Sequence, residues 1–379
     1  MSNINIDRSE FFTGAASMAA LGVSPFAFAD DGADSPELAA SKRWFREAQY
    51  GMMVHWGLYS LIGGEWKGSR MSYIGEWAQQ YFRIPNAEYA ELAKAFNPVC
   101  FDADEWVQIA RDAGMKYLVF TSKHHDGFAM FHSKVSRFNV VDATPFGRDV
   151  VEELAEACRR HGLRLGLYYS QDLDWHERGG GGFTRGKTWG KGTGYWCNNW
   201  DFENVTRDDF DAYFEGKSKP QVREILTQYG DICLVWFDIG FTLSERQSNE
   251  LYNLVRKLQP GCLINSRIGC GKCDYTSAGD NQVNDDDKSG MLYEVPATLN
   301  DTWGYKPFDQ NWKSADKVRS VREQLASLHT NYLLNVGPDP LGRIPAPCAE
   351  ILRSAAPRLK SEKSLKAGDT IDGEGRDLV

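Results

Sequence analysis

A chain of 379 residues with 42% hydrophobic side chains is long enough for one large barrel or two ordinary domains. Its 52 acidic side chains outnumber 43 basic ones, and a net charge of −9 with no basic stripe argues against nucleic acid as a partner. Past the N-terminal segment, no apolar run reaches the length a membrane helix needs.

The first 35 residues read as an export signal and spacer. Ala15-Ala-Ser-Met-Ala-Ala-Leu21 forms a moderately apolar core, and Ala27-Phe28-Ala29 fits the small-x-small cleavage pattern before Asp30. Asp7-Arg8-Ser9-Glu10-Phe11-Phe12 resembles a twin-arginine signal in which Ser9 replaces the second arginine, so the expected location is periplasmic or extracellular.

From there an apolar strand, a polar residue, a loop and an amphipathic helix recur. Residues 51–57 predict a first strand ending at His55, with helices over 87–96 and 103–113 behind it. A second strand over 116–121 runs into Ser122-Lys-His-His-Asp-Gly-Phe128. Asp149 caps a helix that stops at Gly162, and the third strand covers 163–169. The excursion that follows carries glycines 179–182 and the rings of Trp189, Tyr195, Trp196 and Trp200, suited to a binding loop or to an ordinary surface insertion.

A helical stretch over 208–229, broken at Pro220, leads to the apolar run 232–237 and then Asp238. Helix 248–258 and a short strand from Cys262 deliver Arg267. Residues 274–290, with Asp285-Asp286-Asp287, read as a polar loop before the short segment Leu292-Tyr293-Glu294. Helix 315–327, strand 331–336 and helix 346–359 complete the pattern, and residues 363–379 form a polar tail. Such alternation predicts an α/β chain folded as one (β/α)8 TIM-like barrel over 36–362, with irregular stretches and no appended C-terminal β-sandwich.

His55, His124, His125, Tyr168, Asp238, Arg267 and Glu294 all fall at expected strand ends, where a barrel builds its catalytic mouth. Imidazoles, a phenol, an arginine and two carboxylates suit a substrate rich in hydroxyls, a sugar. Two carboxylates about 5–5.5 Å apart serve a retaining glycosidase, one as nucleophile and one as acid/base. Asp238 is the candidate nucleophile; alone it also reads as a turn opener or helix cap. Glu294, bordered by Leu292, Tyr293 and Val295, is the candidate acid. Adjacent histidines on a strand face opposite ways, and the eight cysteines include only a lone Cys270-Gly-Lys-Cys273 pair, so neither a metal nor another cofactor is expected.

The motifs Phe45-Arg-Glu-Ala-Gln-Tyr-Gly51 leading to His55-Trp-Gly-Leu-Tyr-Ser60, Ser122-Lys-His-His-Asp-Gly-Phe128, Gly166-Leu-Tyr-Tyr-Ser170, Trp236-Phe-Asp238 and Leu333-Leu-Asn-Val-Gly-Pro338 stand in an order that resembles glycoside hydrolase family 29, the α-L-fucosidases. The resemblance implies a retaining exo-glycosidase that releases terminal α-linked L-fucose from a fucosylated oligosaccharide or polysaccharide through a covalent fucosyl-enzyme. It implies Asp238 as nucleophile, Glu294 as acid/base with Glu65 in reserve, and His55, Glu76, Trp77, His124, His125, Tyr168, Arg267 and Trp303 as sugar contacts. Trp56, Trp77 or Trp303 could wall the C6 methyl group of fucose. The competing readings are a fucose-binding pseudoenzyme and a barrel glycosidase for a β-galactoside or a sulfated fucose.

Overall fold

Serine at position 35 accepts a hydrogen bond from Leu38 N and Pro36 occupies the first turn, so an amphipathic helix, α1 (Pro36–Ala48), forms before the first strand. The computed structural model describes residues 34–182, 196–277, 279–282 and 290–356. Nearly all of the export segment, the polar tail, Trp189, Tyr195 and Asp285-Asp286-Asp287 lie outside these residues.

Eight strands form one curled sheet in which every ladder is parallel: β1 (Tyr50–Val54), β2 (Tyr117–Lys123), β3 (Arg164–Tyr169), β4 (Leu234–Phe237), β5 (Leu263–Ile264), β6 (Thr276–Ser277), β7 (Tyr293–Thr298) and β8 (Thr330–Val336). Their order is β5-β4-β3-β2-β1-β8-β7-β6, and a parallel bridge between Asn265 and Tyr275 joins the two outermost strands. The helices of the repeat are α2 (Ala103–Asp112), α3 (Val150–His161), α4 (Arg207–Tyr213), α5 (Lys219–Thr227), α6 (Glu245–Leu258), α7 (Ala315–Ser327) and α8 (Ala346–Ser354).

Both faces of the sheet are buried, so the strand residues sort by parity into two cores. Met53, Tyr117, Val119, Leu234, Trp236 and Leu333 pack inside the curl. Their neighbours Met52, Val54, Leu118, Phe120, Val235, Phe237 and Leu334 face the helices. Leu38, Phe45 and Ala48 of α1 join the inner core, and Gln49 O accepts from Tyr332 N, so α1 covers the N-terminal end of the sheet. The opposite end is left for chemistry.

Proline 220 breaks the predicted 208–229 helix less than expected. A π-helical turn, Phe214–Ser218, sits between α4 and α5 and places Pro220 in the first turn of α5, where no N–H is required. Among the described residues no helix is long and apolar enough to cross a membrane.

Candidate active site

The site is assembled where the strands end. His55 follows β1, and its Nδ1 lies 2.7 Å from Asn335 Oδ1 near the end of β8. Strand β2 stops at Lys123, after a register shift against β3, so the alternation expected of a strand does not reach the next two histidines. Both His124 and His125 therefore turn to the same mouth, with ring centroids 4.1 Å apart. His124 stacks on Tyr168 at 5.4 Å and stands 5.5 Å from His55, and its buried Nδ1 has no partner among the described residues.

Burial keeps these imidazoles neutral. It lowers His55 to about 4, the Asn335 hydrogen bond opposing only part of the effect. Burial, then neighbouring positive charge, holds His124 and His125 well below the usual histidine range. Neutral imidazoles both donate and accept, as recognition of hydroxyl groups requires.

Asp238, only 7% exposed, ends β4 with each oxygen engaged. Oδ2 receives Tyr168 Oη at 2.9 Å and lies 3.6 Å from His125 Nε2; Oδ1 receives Arg267 Nη1 at 3.1 Å and Ile239 N at 3.0 Å. Its own N–H donates to Gln171 Oε1 at 2.9 Å. Ile239 adopts φ +54°, a conformation that disfavours β-branched side chains by about 1–2 kcal/mol. Its N–H meets the Asp238 carboxylate, and strained backbone of this kind clusters at functional sites.

Glu76 is buried, accepts Gly304 N at 2.7 Å and is pushed up to about 7 by burial, against the pull of Gly304 and Lys306. Gly304 follows Trp303, whose ring centroid lies 5.1 Å from His55 and whose carbonyl accepts Asn335 Nδ2 at 2.8 Å. Trp77 stands edge-on to His125 at 5.3 Å, backed by Trp175 and Trp196. Asn335, joining His55 to Trp303, is a site residue that the strand-end reasoning overlooked. Trp56 is not at the mouth: one step after the inward His55 it turns outward, among Phe96, Phe101 and Trp106.

Glu294 is also not at the mouth. It is the second residue of the six-residue β7, fully buried, with Oε2 receiving Tyr117 Oη at 2.7 Å and Oε1 receiving Trp236 Nε1 at 2.8 Å. At roughly 3.3 Å per residue it lies about 13 Å below the mouth end of its strand. Glu65, the reserve, belongs to a short exposed hairpin (Glu65–Trp66 with Ser69–Arg70), and its carboxylate is bound to Arg70 at 2.9 Å.

A more exposed carboxylate at the mouth than Asp238 or Glu76 is Asp280, which the sequence reading places inside a polar loop. Arg267 uses Nη1 for Asp238 and Nη2 for Asp280, so a single guanidinium spans the pair. Asn281 fixes the loop beside the end of β7: its N–H donates to Pro296 O at 2.9 Å and its Oδ1 receives Thr298 N at 3.0 Å. The charge of Asp280 is felt by His55, Glu76 and Tyr73, and its side chain is 41% exposed, open to solvent as Asp238 is not.

A buried ion cluster holds the β3 loop against the histidines. Asp174, fully buried, receives Lys123 Nζ at 2.9 Å and Lys217 Nζ at 3.0 Å. Its neighbour Trp175 donates N–H to His125 O at 2.7 Å. Gly127 has φ +76°, and a Cβ there would stand 2.2 Å from Asp174 Oδ1. Burial works against ionisation of Asp174, but Lys123 and Lys217 prevail and hold it down to about 2. A carboxyl depressed from its usual value near 3.9 stabilises the fold above that pH and loses the contribution as pH falls toward 2. Asp174→Asn leaves the buried Lys123 ammonium without its counter-ion and Lys217 with Glu177 alone, so urea unfolding at pH 7 should show a loss of about 3–5 kcal/mol. A loss under ~1 kcal/mol would mean the cluster contributes no net stability.

The sequence model of one family, described as alpha-L-fucosidase, matches residues 29–362. Tissue alpha-L-fucosidase of Rattus norvegicus is 30% identical over 354 residues, 87% of this chain and 70% of that protein. The Mus musculus counterpart is 29% identical over 323 residues, 79% of this chain and 66% of its own length. The chain thus spans about two thirds of these curated relatives. Among solved structures, unliganded alpha-L-fucosidase AlfC from Lactobacillus casei aligns with TM-score 0.79 at 52% identity, covering 83% of this chain and 97% of that one. AlfC has also been solved with alpha-L-fucose product, and a mutant of it with Fuca(1,6)GlcNAc.

Proposed function

This chain belongs to the alpha-L-fucosidase family, and on that premise we propose that it hydrolyses terminal α-linked L-fucose with retention, on an irregular (β/α)8 barrel. The observation that carries the reading is the pair of carboxylates joined by one arginine in a mouth ringed by neutral imidazoles. The barrel reading is supported by the strand order and by the bridge between the outermost strands.

Asp238 is the nucleophile. Its carboxylate forms an ester bond to C1 of fucose while the bond from C1 to the glycosidic oxygen breaks, and Asp280 supplies the proton that the departing oxygen takes. In the second half Asp280 takes a proton from water, whose oxygen attacks C1 and releases the ester, restoring Asp238 and the original anomeric configuration. Asp280 replaces Glu294 in the acid/base role, since a proton shuttle must reach both leaving group and water.

His55, His124, His125 and Glu76 receive the sugar hydroxyls, with His124 Nδ1 free to bond one. Trp77 and Trp303 wall the apolar face, and Tyr168 and Arg267 hold the nucleophile while bordering the sugar. At 52% identity to a structure whose mutant binds Fuca(1,6)GlcNAc, a fucose joined through a primary hydroxyl of a second sugar is the substrate to try first. The direct test compares aryl α-L-fucoside with aryl β-galactoside. Turnover of the fucoside alone is expected; a protein that binds fucose and releases no product from any fucoside is not this enzyme.

A further inference from the structure

Beneath Asp238 lies a single indole. Tyr168 stacks on Trp236 with centroids 5.6 Å apart and planes 17° from parallel, and the Arg267 guanidinium stands 4.6 Å from the same ring. These are the two side chains that donate to the opposite oxygens of Asp238. Trp236 itself is anchored from below, its Nε1 donating to Glu294, whose other oxygen receives Tyr117.

We propose that Glu294 is a positioning residue: by holding the indole of Trp236 it fixes the tyrosine and arginine that aim the nucleophile. The inference rests on the reading of Asp238 as nucleophile. A buried carboxyl group is an expensive way to fill space, and an apolar side chain of similar volume would pack as well. What glutamate adds is a pair of acceptors. An indole N–H can only donate, so Oε1 serves it whether or not Oε2 carries a proton. Burial, opposed by Tyr117 and Trp236, pushes Glu294 up to about 7, and the anchor holds on both sides of that value. The other titratable groups that face Glu294 are Arg267, Tyr275 and Cys233.

Glutamine keeps an acceptor for the indole and leucine does not, so the two replacements separate positioning from proton transfer. With an aryl α-L-fucoside, Glu294→Gln should keep kcat within about threefold and leave the basic limb of the pH profile in place, while Glu294→Leu loses at least ~10-fold in kcat with a much smaller change in inhibition by free fucose. Should the leucine variant fail to fold, Trp236→Phe removes the same N–H from an aromatic ring and should show the same kcat-selective loss. Independently of turnover, 15N-tryptophan spectra should show the Trp236 indole N–H, assigned by its absence in Trp236→Phe, unmoved in the glutamine variant and displaced in the leucine variant. An unmoved indole signal in Glu294→Leu, or wild-type kcat in Glu294→Leu and Trp236→Phe, overturns the inference. So does a ~100-fold loss in Glu294→Gln with the basic limb abolished, which would make Glu294 a proton donor. Silence of the wild type on every fucoside instead refutes the catalytic reading, and the indole spectra then decide whether Glu294 holds Trp236.

Discussion

Replacement of Asp238 by glycine should lower kcat on an aryl α-L-fucoside by roughly 10⁴-fold, about 5.5 kcal/mol of barrier. The side chain is small, and its loss leaves Arg267 paired with Asp280, so the fold should survive and the defect should be chemical. Asp238 sits at the end of β4 with Tyr168 on one oxygen and Arg267 on the other, which fixes the orientation of its carboxylate. No other described carboxylate is held this way. Azide should enter the vacated space, restore turnover and yield the β-configured fucosyl azide, because it attacks from the side where the carboxylate stood. Turnover within ~10-fold of wild type would remove Asp238 as nucleophile.

The second large effect is expected at Asp280 and depends on the leaving group. An alkyl or sugar oxygen needs a proton to depart, so Asp280→Asn should slow cleavage of a fucosyl disaccharide by about 10²–10⁴-fold. A dinitrophenolate leaves unaided, and formation of the fucosyl-enzyme from that substrate should be affected far less. Glu65→Gln should show no such dependence on the leaving group and stay within about threefold of wild type, as should Glu294→Gln. A uniform loss over all leaving groups would assign Asp280 to binding, and a leaving-group-dependent loss in Glu65→Gln would return the acid role to the hairpin.

Much of this arrangement is legible in the chain. Apolar runs on both faces, capping at Asp149 and the residues after the strands lead directly to His55, His124, His125, Tyr168, Asp238 and Arg267. What escaped has local physical causes. Pro296 lies inside β7, and a proline donates no ladder hydrogen bond, so the strand looks finished near Glu294 although it runs on to Thr298. Glu294 thereby seems to be a strand end while standing near the strand's beginning. Asp280 was hidden by the reverse error: β6 is only two residues long, too short for periodicity to reveal. Counting eight strands would have demanded one there and placed Asp280 just beyond its mouth end. The side-by-side placement of His124 and His125 depends on where β2 stops, a fact set by its register with β3 and not by composition. Helix α1 directly follows the export segment in sequence, and Ser35-Pro36 is a legible helix start.

The most direct test of the account is to trap the intermediate. Incubation with a 2-deoxy-2-fluoro-fucosyl fluoride, followed by proteolysis and mass spectrometry, should find the sugar esterified to the peptide containing Trp236-Phe-Asp238, at Asp238. A label on Asp280, Glu294 or Glu76 would contradict the account, as would complete turnover of the reagent by an enzyme that inverts at C1.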